Sequence, residues 1–344
     1  MTEIVTLDSA WGTPEEPQGT AADLRRQRLS TLVRRSILIL PVNVPRFVEK
    51  AYARGSDAIQ LDLEDSVRWE DKGTARELVR HALAICAKGG ADVIVRINKP
   101  YELAMKDLAA SVWPGVAAIH FPKAETAREI EWLDAAISEL ESSRRLPPGS
   151  VKLSVAVETA LGLHNALGIS LASPRITDIV LGPEDYALDI GVEPSVDGRE
   201  LFYGKAKIVV DARLAGIQPL GTVGSVANYG DLETWEASAR FARQMGYLGA
   251  YCIHPNQVAI LNRHFSPSEA EARAAEAILV AYEAARREGR GAVGVDGKMI
   301  DVPVAARARR TLDRVDAIRA REGRTRAAFE RLGETPPEGA IIYL

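Results

Sequence analysis

Short apolar runs alternate with helical patterns along most of this chain. Eight runs are nearly continuous in apolar residues, which is typical of parallel strands buried on both faces. They lie at residues 36–40, 58–63, 92–97, 117–121, 152–157, 178–181, 218–222 and 249–253. Helical spacing of apolar residues separates them, at 45–54, 72–87, 127–141, 161–171, 202–215 and 232–244. The alternation predicts an α/β fold with a parallel sheet.

Eight strands with helical crossovers favour a (β/α)8 TIM barrel over an open sheet. The strands together with the helical crossovers between them span roughly 220 residues, which is a usual size for such a barrel. A doubly wound sheet is the alternative, and it usually carries a glycine-rich phosphate turn after its first strand. Here that turn reads Pro41-Val42-Asn43-Val44-Pro45. The sequence therefore predicts the barrel.

The segments outside the barrel pattern define three regions. Residues 1–30 have glycine and proline interruptions and are expected to be a poorly ordered or loosely attached N-terminal arm. The catalytic barrel is assigned to residues 31–265, and 266–344 are assigned to a C-terminal helix, a glycine-rich connector at 289–297 and a basic tail. Residues 305–331 carry nine arginines against four acids. We interpret them as a solvated helix face, with contacts to phosphates or a neighbouring subunit as the alternative.

Composition narrows the class of protein without naming a reaction. The 344 residues carry a formal charge of −4, and the usual basic excess of a nucleic-acid-binding protein is missing. Two cysteines do not make a disulfide framework or a CxxC metal site, which favours a reducing cytoplasm. The sequence shows neither an apolar run long enough for a membrane span nor a secretory signal pattern. These features predict a cytoplasmic enzyme without nucleic-acid or membrane partners.

Polar side chains follow seven of the eight predicted strands. In a (β/α)8 barrel the carboxyl ends of the strands form one mouth, where catalytic groups lie. The residues at these ends are Asn43, Asp62, Glu64, Asp65, Arg96, Asn98, Lys123, Glu125, Glu158, Glu184, Asp185 and His254. We expect them to surround a common cavity.

Glu158 and Asp185 form the most informative pair in this set. Each follows an apolar run, and the fifth and sixth strands are neighbours in a barrel. Two carboxylates so close repel each other unless a cation or a shared proton offsets their charge. An oxygen-only pair suits Mg²⁺, whereas two solvated loop acids or salt-bridge partners would give the same pattern. The residue pattern leaves both interpretations open.

Three basic or imidazole side chains are further candidates at the mouth. Arg96 at the end of the third strand suits a substrate carboxylate or phosphate, or alternatively an ion pair with Glu64 or Asp65. Lys123 suits an anion, although a lysine after a strand is often only solvated. His254 is a candidate catalytic imidazole, but a hydrogen bond to the backbone near its strand end is the favoured interpretation.

The order of several short motifs resembles the citrate lyase β-subunit-like proteins of the HpcH/HpaI aldolase superfamily, which include malyl-CoA and citramalyl-CoA lyases. The opening resemblance lies in Arg35-Ser36-Ile37-Leu38 and Leu61-Asp62-Leu63-Glu64-Asp65-Ser66-Val67. It continues through Val95-Arg96-Ile97-Asn98, Pro122-Lys123-Ala124-Glu125, Val157-Glu158-Thr159-Ala160, Gly182-Pro183-Glu184-Asp185, Cys252-Ile253-His254-Pro255-Asn256-Gln257 and Asp296-Gly297-Lys298-Met299-Ile300-Asp301. The resemblance covers roughly residues 34–305 and implies a (β/α)8 TIM barrel with a C-terminal helical lid extension.

The resemblance also implies roles for individual residues. By analogy with the family, Glu158 and Asp185 bind Mg²⁺, and Arg96 holds the carboxylate or carbonyl of an oxo-acid. Glu64 and Asp65 order metal-bound water. Asp301 lies on the C-terminal lid and enters the active site of an adjacent subunit as general acid and base. Asn43, Lys123 and His254 complete the expected substrate-binding set.

The implied activity is Mg²⁺-dependent, reversible cleavage of a carbon–carbon bond in a 3-hydroxyacyl-CoA thioester such as malyl-CoA or citramalyl-CoA. The products are an oxo-acid and an acyl-CoA, and the implied assembly is a homotrimer or homohexamer. Three alternatives stay open: a citrate lyase β subunit with an acyl carrier protein as partner, a malyl-CoA thioesterase, and a non-catalytic oxo-acid-binding barrel.

Overall fold

Eight parallel strands form a nearly closed barrel, as the sequence predicts. The computed structural model describes residues 20–195, 197–224, 229–295 and 297–343. The strands are β1 (Ser36–Pro41), β2 (Ala58–Asp62), β3 (Asp92–Arg96), β4 (Val116–Phe121), β5 (Lys152–Val157), β6 (Ile176–Leu181), β7 (Gln218–Leu220) and β8 (Ala250–Cys252). They are ordered β7-β6-β5-β4-β3-β2-β1-β8 in the sheet. Sequential strands are therefore neighbours, which is the order of a (β/α)8 barrel.

Two backbone hydrogen bonds lie beside the gap between β7 and β8. Leu248 N–H donates to the carbonyl of Pro219 over 3.1 Å, and Gly221 N–H donates to the carbonyl of Gly249 over 2.8 Å. They join the two ends of the sheet, although β7 and β8 form no continuous ladder there. The barrel is thus closed by its loops as well as its strands.

Helices cover the outside of the sheet and extend beyond it. The helices of the barrel are α1 (Ala21–Arg28), α2 (Pro45–Ala51), α3 (Lys72–Cys86), α4 (Tyr101–Ser111), α5 (Ala127–Ser143), α6 (Ala160–His164), α7 (Ala166–Leu171), α8 (Pro183–Asp189), α9 (Phe202–Ala215), α10 (Leu232–Met245) and α11 (Pro255–His264). The residues just before several of these helices determine where the helix begins. In α5, for example, Thr126 and Glu129 form a reciprocal capping box that satisfies exposed backbone N–H groups.

The core has two parts that follow from the alternation of side chains along each strand. Outward-facing residues such as Ile59, Leu61, Val93 and Val95 pack with the apolar faces of the helices. Inside the barrel a small apolar cluster combines Ile37, Ala58, Ile94, Ala118, Ala156, Val180, Leu220 and Tyr251. Ala156, Val180 and Tyr251 of this cluster border a cavity that opens toward the carboxyl ends of the strands.

The described part of the N-terminal region differs from the loosely attached arm that the sequence suggests. Residues 21–28 form α1, and the guanidinium of Arg25 is buried against the barrel. It donates hydrogen bonds to the backbone carbonyls of Ser170, Ser173 and Ile176, at 3.0, 2.8 and 2.6 Å. Arg25 therefore anchors the helix, together with Arg26, which donates to the carbonyl of Arg213 over 2.7 Å. Glycine and proline spacing could not indicate these contacts. Residues 1–19 lie outside the described residues.

The C-terminal region contains two long helices and a hairpin. Helix α12 spans Glu269–Arg287, and the strands β9 (Val293–Val295) and β10 (Lys298–Ile300) pair antiparallel within and after the predicted connector. Helix α13 spans Val302–Leu332 and packs along α12. Among the described residues, no helix is both long enough and apolar enough to cross a membrane.

The basic tail is more closely attached than a solvated helix face would be. Arg321 is buried, and its guanidinium donates to the carbonyl of Asp57 over 2.7 Å. Glu322, the next residue on α13, accepts a hydrogen bond from Arg35 over 2.7 Å at the amino-terminal base of the barrel. Most of the other arginines of α13 are exposed, as expected. The tail therefore fixes α13 to the base of the barrel through its buried charges.

Candidate active site at the barrel mouth

A cavity of about 440 Å³ lies at the carboxyl ends of the strands. Its walls combine apolar residues of the barrel interior with charged residues of the strand ends. The polar members are Gln60, Asp62, Asp65, Ser66, Arg96, His120, Glu158, Glu184, Asp185, Thr222 and Tyr251. We call this space the central cavity. Its volume suits the acid portion of a small metabolite.

Arg96 is held at the cavity wall by a two-point ion pair with Asp62. Its Nε donates to Asp62 Oδ1 over 2.6 Å, and its Nη2 donates to Oδ2 over 2.7 Å. Ser66 and the backbone N–H of Glu64 also donate to the Asp62 carboxylate. Although burial favours the neutral acid, the hydrogen bonds and charge of Arg96 lower the pKa of Asp62. The guanidinium is therefore fixed along its Nε/Nη2 edge, and Nη1 is the nitrogen that makes no hydrogen bond to Asp62.

Glu64 and Asp65 lie between Arg96 and Lys123. Arg96 Nη1 is 3.0 Å from Glu64 Oε2 and 3.7 Å from Asp65 Oδ2. Lys123 Nζ donates to Glu64 Oε1 over 2.7 Å and to Asp65 Oδ1 over 3.3 Å. The ion-pair interpretation of Arg96 thus agrees with the geometry, with Asp62 as an additional and closer partner.

Lys123 reaches this cluster from an unusual backbone conformation. Its φ is +51°, in the left-handed region that non-glycine residues adopt rarely. The pKa of its ammonium group is raised, because the hydrogen bond to Glu64 and the neighbouring carboxylates outweigh the effect of burial. Lys123 Nζ is also 3.8 Å from Asp185 Oδ1. It therefore contributes a positive charge where three carboxylates converge.

Glu158 and Asp185 both border the central cavity, on the neighbouring ends of β5 and β6. Glu158 is buried, and its Oε2 has no hydrogen-bond partner within the described ranges. Burial, together with the charges of Glu64 and Asp185, raises the pKa of Glu158 to about 8. A Cβ atom on Gly182 would lie 2.7 Å from Glu158 Cγ, so glycine at this position gives the side chain its space. Its carboxylate thus lacks the partner that a buried charge requires.

The donor set fits a hard divalent cation that keeps part of its shell for water and substrate. Over the residues that the structure describes, no three His, Cys, Asp or Glu side chains are grouped closely enough to hold a metal by themselves. Mg²⁺ is commonly bound by one or two carboxylates, with water and substrate completing its octahedron. The unpartnered Oε2 of Glu158 beside Asp185 fits such a site.

The expectation that the strand-end residues surround one cavity is only partly correct. Glu64, Asn98 and Lys123 line a neighbouring cavity that shares Asp65 with the central one, and neither cavity is lined by Asn43, Glu125, His254 or Asp301. Asn43 follows β1, and its Oδ1 is buried without a hydrogen-bond partner among the described residues. His254 begins α11, where its Nδ1 accepts a hydrogen bond from Asn256 N–H over 3.2 Å and its ring stacks on Tyr229. This matches the favoured backbone-bonded interpretation of His254. Asp301 begins α13, where its Oδ1 accepts a hydrogen bond from Val304 N–H over 3.2 Å.

The structure also reveals a pairing of Asp62 with Arg96 and two cavity residues, Gln60 and His120, that the sequence did not predict. Asp62 positions Arg96, and His120 and Gln60 border the central cavity from the barrel interior. Each lies inside an apolar run at an inward position, two residues from another inward side chain. This two-residue spacing could have indicated them from the sequence, because a polar residue at an inward position interrupts an otherwise apolar layer.

Comparison with known proteins agrees with this architecture. The family model described as HpcH/HpaI aldolase/citrate lyase matches residues 35–255, which include every strand of the barrel. The citrate lyase subunit beta of Escherichia coli K12 is 37% identical over 297 residues, covering 86% of this chain and 98% of that protein. The (3S)-malyl-CoA thioesterase of Cereibacter sphaeroides is 35% identical over 288 residues, covering 83% and 96%.

A solved structure shows the same fold. The protein CitE from Mycobacterium tuberculosis, crystallised with magnesium, acetoacetate and coenzyme A, is 26% identical and superposes with a TM-score of 0.65. The match covers 83% of this chain and 99% of that protein. Together with the match to the family model and the identity to its members, this confirms the resemblance seen in the motifs. The chain belongs to the HpcH/HpaI aldolase/citrate lyase family, and so to a family of carbon–carbon lyases.

Proposed function

We propose that this protein is a Mg²⁺-dependent lyase that reversibly cleaves a 3-hydroxyacyl-CoA thioester, such as malyl-CoA or citramalyl-CoA, into an oxo-acid and an acyl-CoA. The observation that carries the proposal is the convergence of Glu158, Asp185 and the guanidinium of Arg96 on one cavity. The structure of the M. tuberculosis relative with magnesium, acetoacetate and coenzyme A supports the same combination of ligands.

Glu158 and Asp185 are the proposed protein ligands of Mg²⁺, which when bound polarises the reacting oxygen and the carboxylate of the acid. Arg96 binds and orients that carboxylate, which takes the place of Glu64 at Nη1, while Asp62 keeps the guanidinium from turning. Glu64 and Asp65 hold water at the metal site, and Lys123 offsets part of their charge. These residues bind and orient the acid.

The central cavity has room for the acid portion and leaves the thioester arm at its mouth. In the cleavage direction the hydroxyl loses its proton and becomes the carbonyl of the oxo-acid. The electron pair of the broken C–C bond passes to the thioester as an enolate, which an acid must protonate. Asp301 is the proposed donor of that proton.

Asp301 is proposed to act on the site of an adjacent subunit of a homotrimer or homohexamer. It does not border the central cavity of its own chain. Along α13 it lies about 30 Å from Glu322, which is bound at the base of the barrel. The absence of Asp301 from the lining of its own central cavity supports a role at a neighbouring one.

The test is product analysis with purified protein, MgCl₂ and each thioester. A lyase releases glyoxylate and acetyl-CoA from malyl-CoA, whereas a thioesterase releases malate and free CoA, which carries a titratable thiol. Release of acetyl-CoA that Mg²⁺ stimulates and EDTA abolishes is the expected result. Free CoA as the main product would instead establish the thioesterase activity named for the C. sphaeroides relative.

A citrate lyase β subunit is the second candidate, supported by the 37% identity to the E. coli protein. Such a subunit would act on a citryl thioester carried by an acyl carrier protein. Activity only on the carrier-bound thioester, with none on free CoA esters, would favour this candidate. Binding of Mg²⁺ and oxo-acid without turnover of any thioester would indicate the non-catalytic alternative.

A further inference from the structure

Five polar residues form one row across the inside of the barrel. Asp62 on β2 lies opposite Arg96 on β3, and Arg96 lies opposite His120 on β4. His120 lies opposite Ser154 on β5, which in turn lies opposite Asp178 on β6. We call this set the barrel row. Because strands in a barrel are staggered, the row descends from the mouth at Asp62 toward the base at Asp178.

Hydrogen bonds connect the residues in the lower half of the barrel row to one another and to their neighbours. Arg34 Nη1, near the base, donates to Asp178 Oδ2 over 3.0 Å. Ser154 Oγ contacts Asp178 Oδ1 on one side and His120 Nδ1 on the other, the latter at 2.9 Å. Tyr251 Oη lies 2.8 Å from the same Ser154 hydroxyl. The carboxylate, hydroxyl and imidazole are thus fixed in one chain of contacts.

This chain determines which nitrogen of His120 carries the proton. A carboxylate paired with arginine only accepts, so Ser154 uses its single O–H to donate to Asp178. Ser154 Oγ then accepts from its two other neighbours, His120 Nδ1 and the Tyr251 hydroxyl, which itself lies 3.1 Å from Nδ1. With the Tyr251 proton directed to Ser154, the hydrogen of the imidazole lies on Nδ1 and a lone pair is left on Nε2. The opposite tautomer would bring two acceptors together at 2.9 Å. Burial and the charge of Arg96 lower the pKa of His120 to about 3, so the ring is neutral.

The chain of hydrogen bonds ends at the imidazole of His120, whose second nitrogen, Nε2, takes no part in it. The ring borders the central cavity, and Nε2 has no hydrogen-bond partner among the residues the structure describes. Gln60 borders the same cavity, and its buried Oε1 is likewise without a partner in those ranges. Glu158, Asp185 and His120 do not form a three-residue metal cluster within the described chain. The floor of the cavity therefore offers acceptors that no donor of the described protein satisfies.

We propose that His120 is a specificity-determining residue whose Nε2 accepts a hydrogen bond from a hydroxyl on the oxo-acid substituent, so that the site prefers hydroxylated oxo-acids. The preferred thioester of the proposed lyase is then the hydroxymethyl counterpart of citramalyl-CoA rather than malyl-CoA or citramalyl-CoA itself. The inference rests on the proposed function, in which Arg96 holds the acid's carboxylate and the new C–C bond points to the mouth. The third substituent of the reacting carbon then faces the floor. A site built to pair with a hydroxyl disfavours an analogue without one, because its acceptor is left buried and unpaired.

The closing experiment compares two acids that differ by one hydroxyl, pyruvate and 3-hydroxypyruvate. Their dissociation constants are measured by isothermal titration calorimetry on the full chain in MgCl₂. We expect 3-hydroxypyruvate to bind about tenfold more tightly, as for one net hydrogen bond. Equal affinity, or tighter binding of pyruvate, overturns the proposal for His120 and leaves the acid site intact. Binding of neither acid overturns the acid site and this inference with it.

Two variants separate the acceptor from the structural role of the ring. In His120→Gln the side-chain amide can place its oxygen near the position of Nε2, so the preference should be largely retained. His120→Asn can keep the contact to Ser154 but does not reach the cavity, so the two acids should bind equally. Thermal unfolding shows whether each variant is folded. A preference that persists in folded His120→Asn contradicts the assignment.

Discussion

Arg96 and Asp62 face each other in register on neighbouring strands and are joined by two hydrogen bonds of 2.6 and 2.7 Å. Because Asp62 occupies one edge of the guanidinium, the direction of the remaining edge is set before any ligand arrives. Such preorganisation lowers the entropy lost on binding. The buried carboxylate thus acts on substrate through Arg96 and needs no contact of its own.

Replacement of Asp62 by asparagine tests this relationship. Asp62→Asn leaves a buried arginine with one weaker acceptor, so we expect kcat/KM to fall by roughly 10- to 100-fold, mainly through KM for the acid. Stability should fall by about 3 kcal/mol in urea unfolding. Asp71→Asn, which removes an exposed pair with Arg68, is the control and should change neither quantity. An unchanged KM in Asp62→Asn would show that Arg96 does not depend on Asp62.

Glu158→Gln should separate metal binding from stability. Burial and the charges of Glu64 and Asp185 make the native site protonate a carboxyl group that is ionised in the unfolded chain, and the amide removes this cost, so we expect a higher melting temperature than wild type in EDTA. Added MgCl₂ should raise the melting temperature of wild type but not of the variant, and lyase activity should fall at least about 100-fold. Glu193→Gln, at an exposed position outside the cavity, is the matched control. Equal stabilisation of Glu158→Gln by Mg²⁺ would refute the metal assignment.

Lys123→Asn should have opposite effects on the two ligands. Asparagine tolerates the left-handed conformation at φ +51°, so the loop is expected to stay in place. Loss of a positive charge 3.8 Å from Asp185 should tighten Mg²⁺ binding several-fold and weaken binding of the anionic oxo-acid. Calorimetry with each ligand measures both effects. Weaker Mg²⁺ binding in the variant would contradict this electrostatic role.

Asp301 has a capping role and a proposed catalytic role that two variants distinguish. Asparagine caps helices about as well as aspartate, so Asp301→Asn should keep the melting temperature while kcat falls by roughly 10²–10⁴-fold. Asp301→Ala should lose the activity as well as the helix cap, and loss of the cap should lower the free energy of unfolding by about 1 kcal/mol. Co-refolding Asp301→Asn with Glu158→Gln chains should restore activity, since mixed oligomers contain intact composite sites. No recovery in mixed oligomers would argue against action between subunits.

Glu141 provides a pH test away from the active site. Its buried carboxylate accepts hydrogen bonds from Arg175 and from the N–H groups of Gly149 and Val151. Against the opposing effect of burial, these donors lower the pKa of Glu141 to about 2. A lowered pKa stabilises the fold above the ordinary value near 4.5, and this contribution is lost as the pH falls toward 2.

We therefore expect Glu141→Gln to be less stable than wild type at pH 7, by about 3 kcal/mol. The difference in free energy of unfolding should shrink steadily below pH 4.5, as measured by urea titrations at pH 7, 4.5 and 3. Glu102→Gln, at an exposed ion pair with Lys106, should show no comparable trend. A difference that is constant with pH would assign the effect to packing alone.

The sequence was sufficient for the barrel because its strands are short and almost wholly apolar. Adjacent strand ends also predicted that Glu158 and Asp185 would border one cavity. The closest partner of Arg96 was not predicted, because Asp62 lies inside an apolar run and its inward direction depends on exact strand register. For the same reason His120 was not recognised as a cavity residue. The anchoring of Arg25 depends on carbonyls about 150 residues away, which no local pattern encodes.

The barrel row also has a consequence for how the chain finds its fold. Side chains alternate between the two faces of a strand, so a slip of one residue would turn His120 or Asp178 outward into the apolar layer beneath the helices. It would also separate Arg34 from Asp178 and Arg96 from Asp62. Each misaligned pairing would then bury an unpaired charge, at a cost of several kcal/mol. The polar interior thus penalises misregistered barrels during folding, a selectivity that a purely apolar interior would lack.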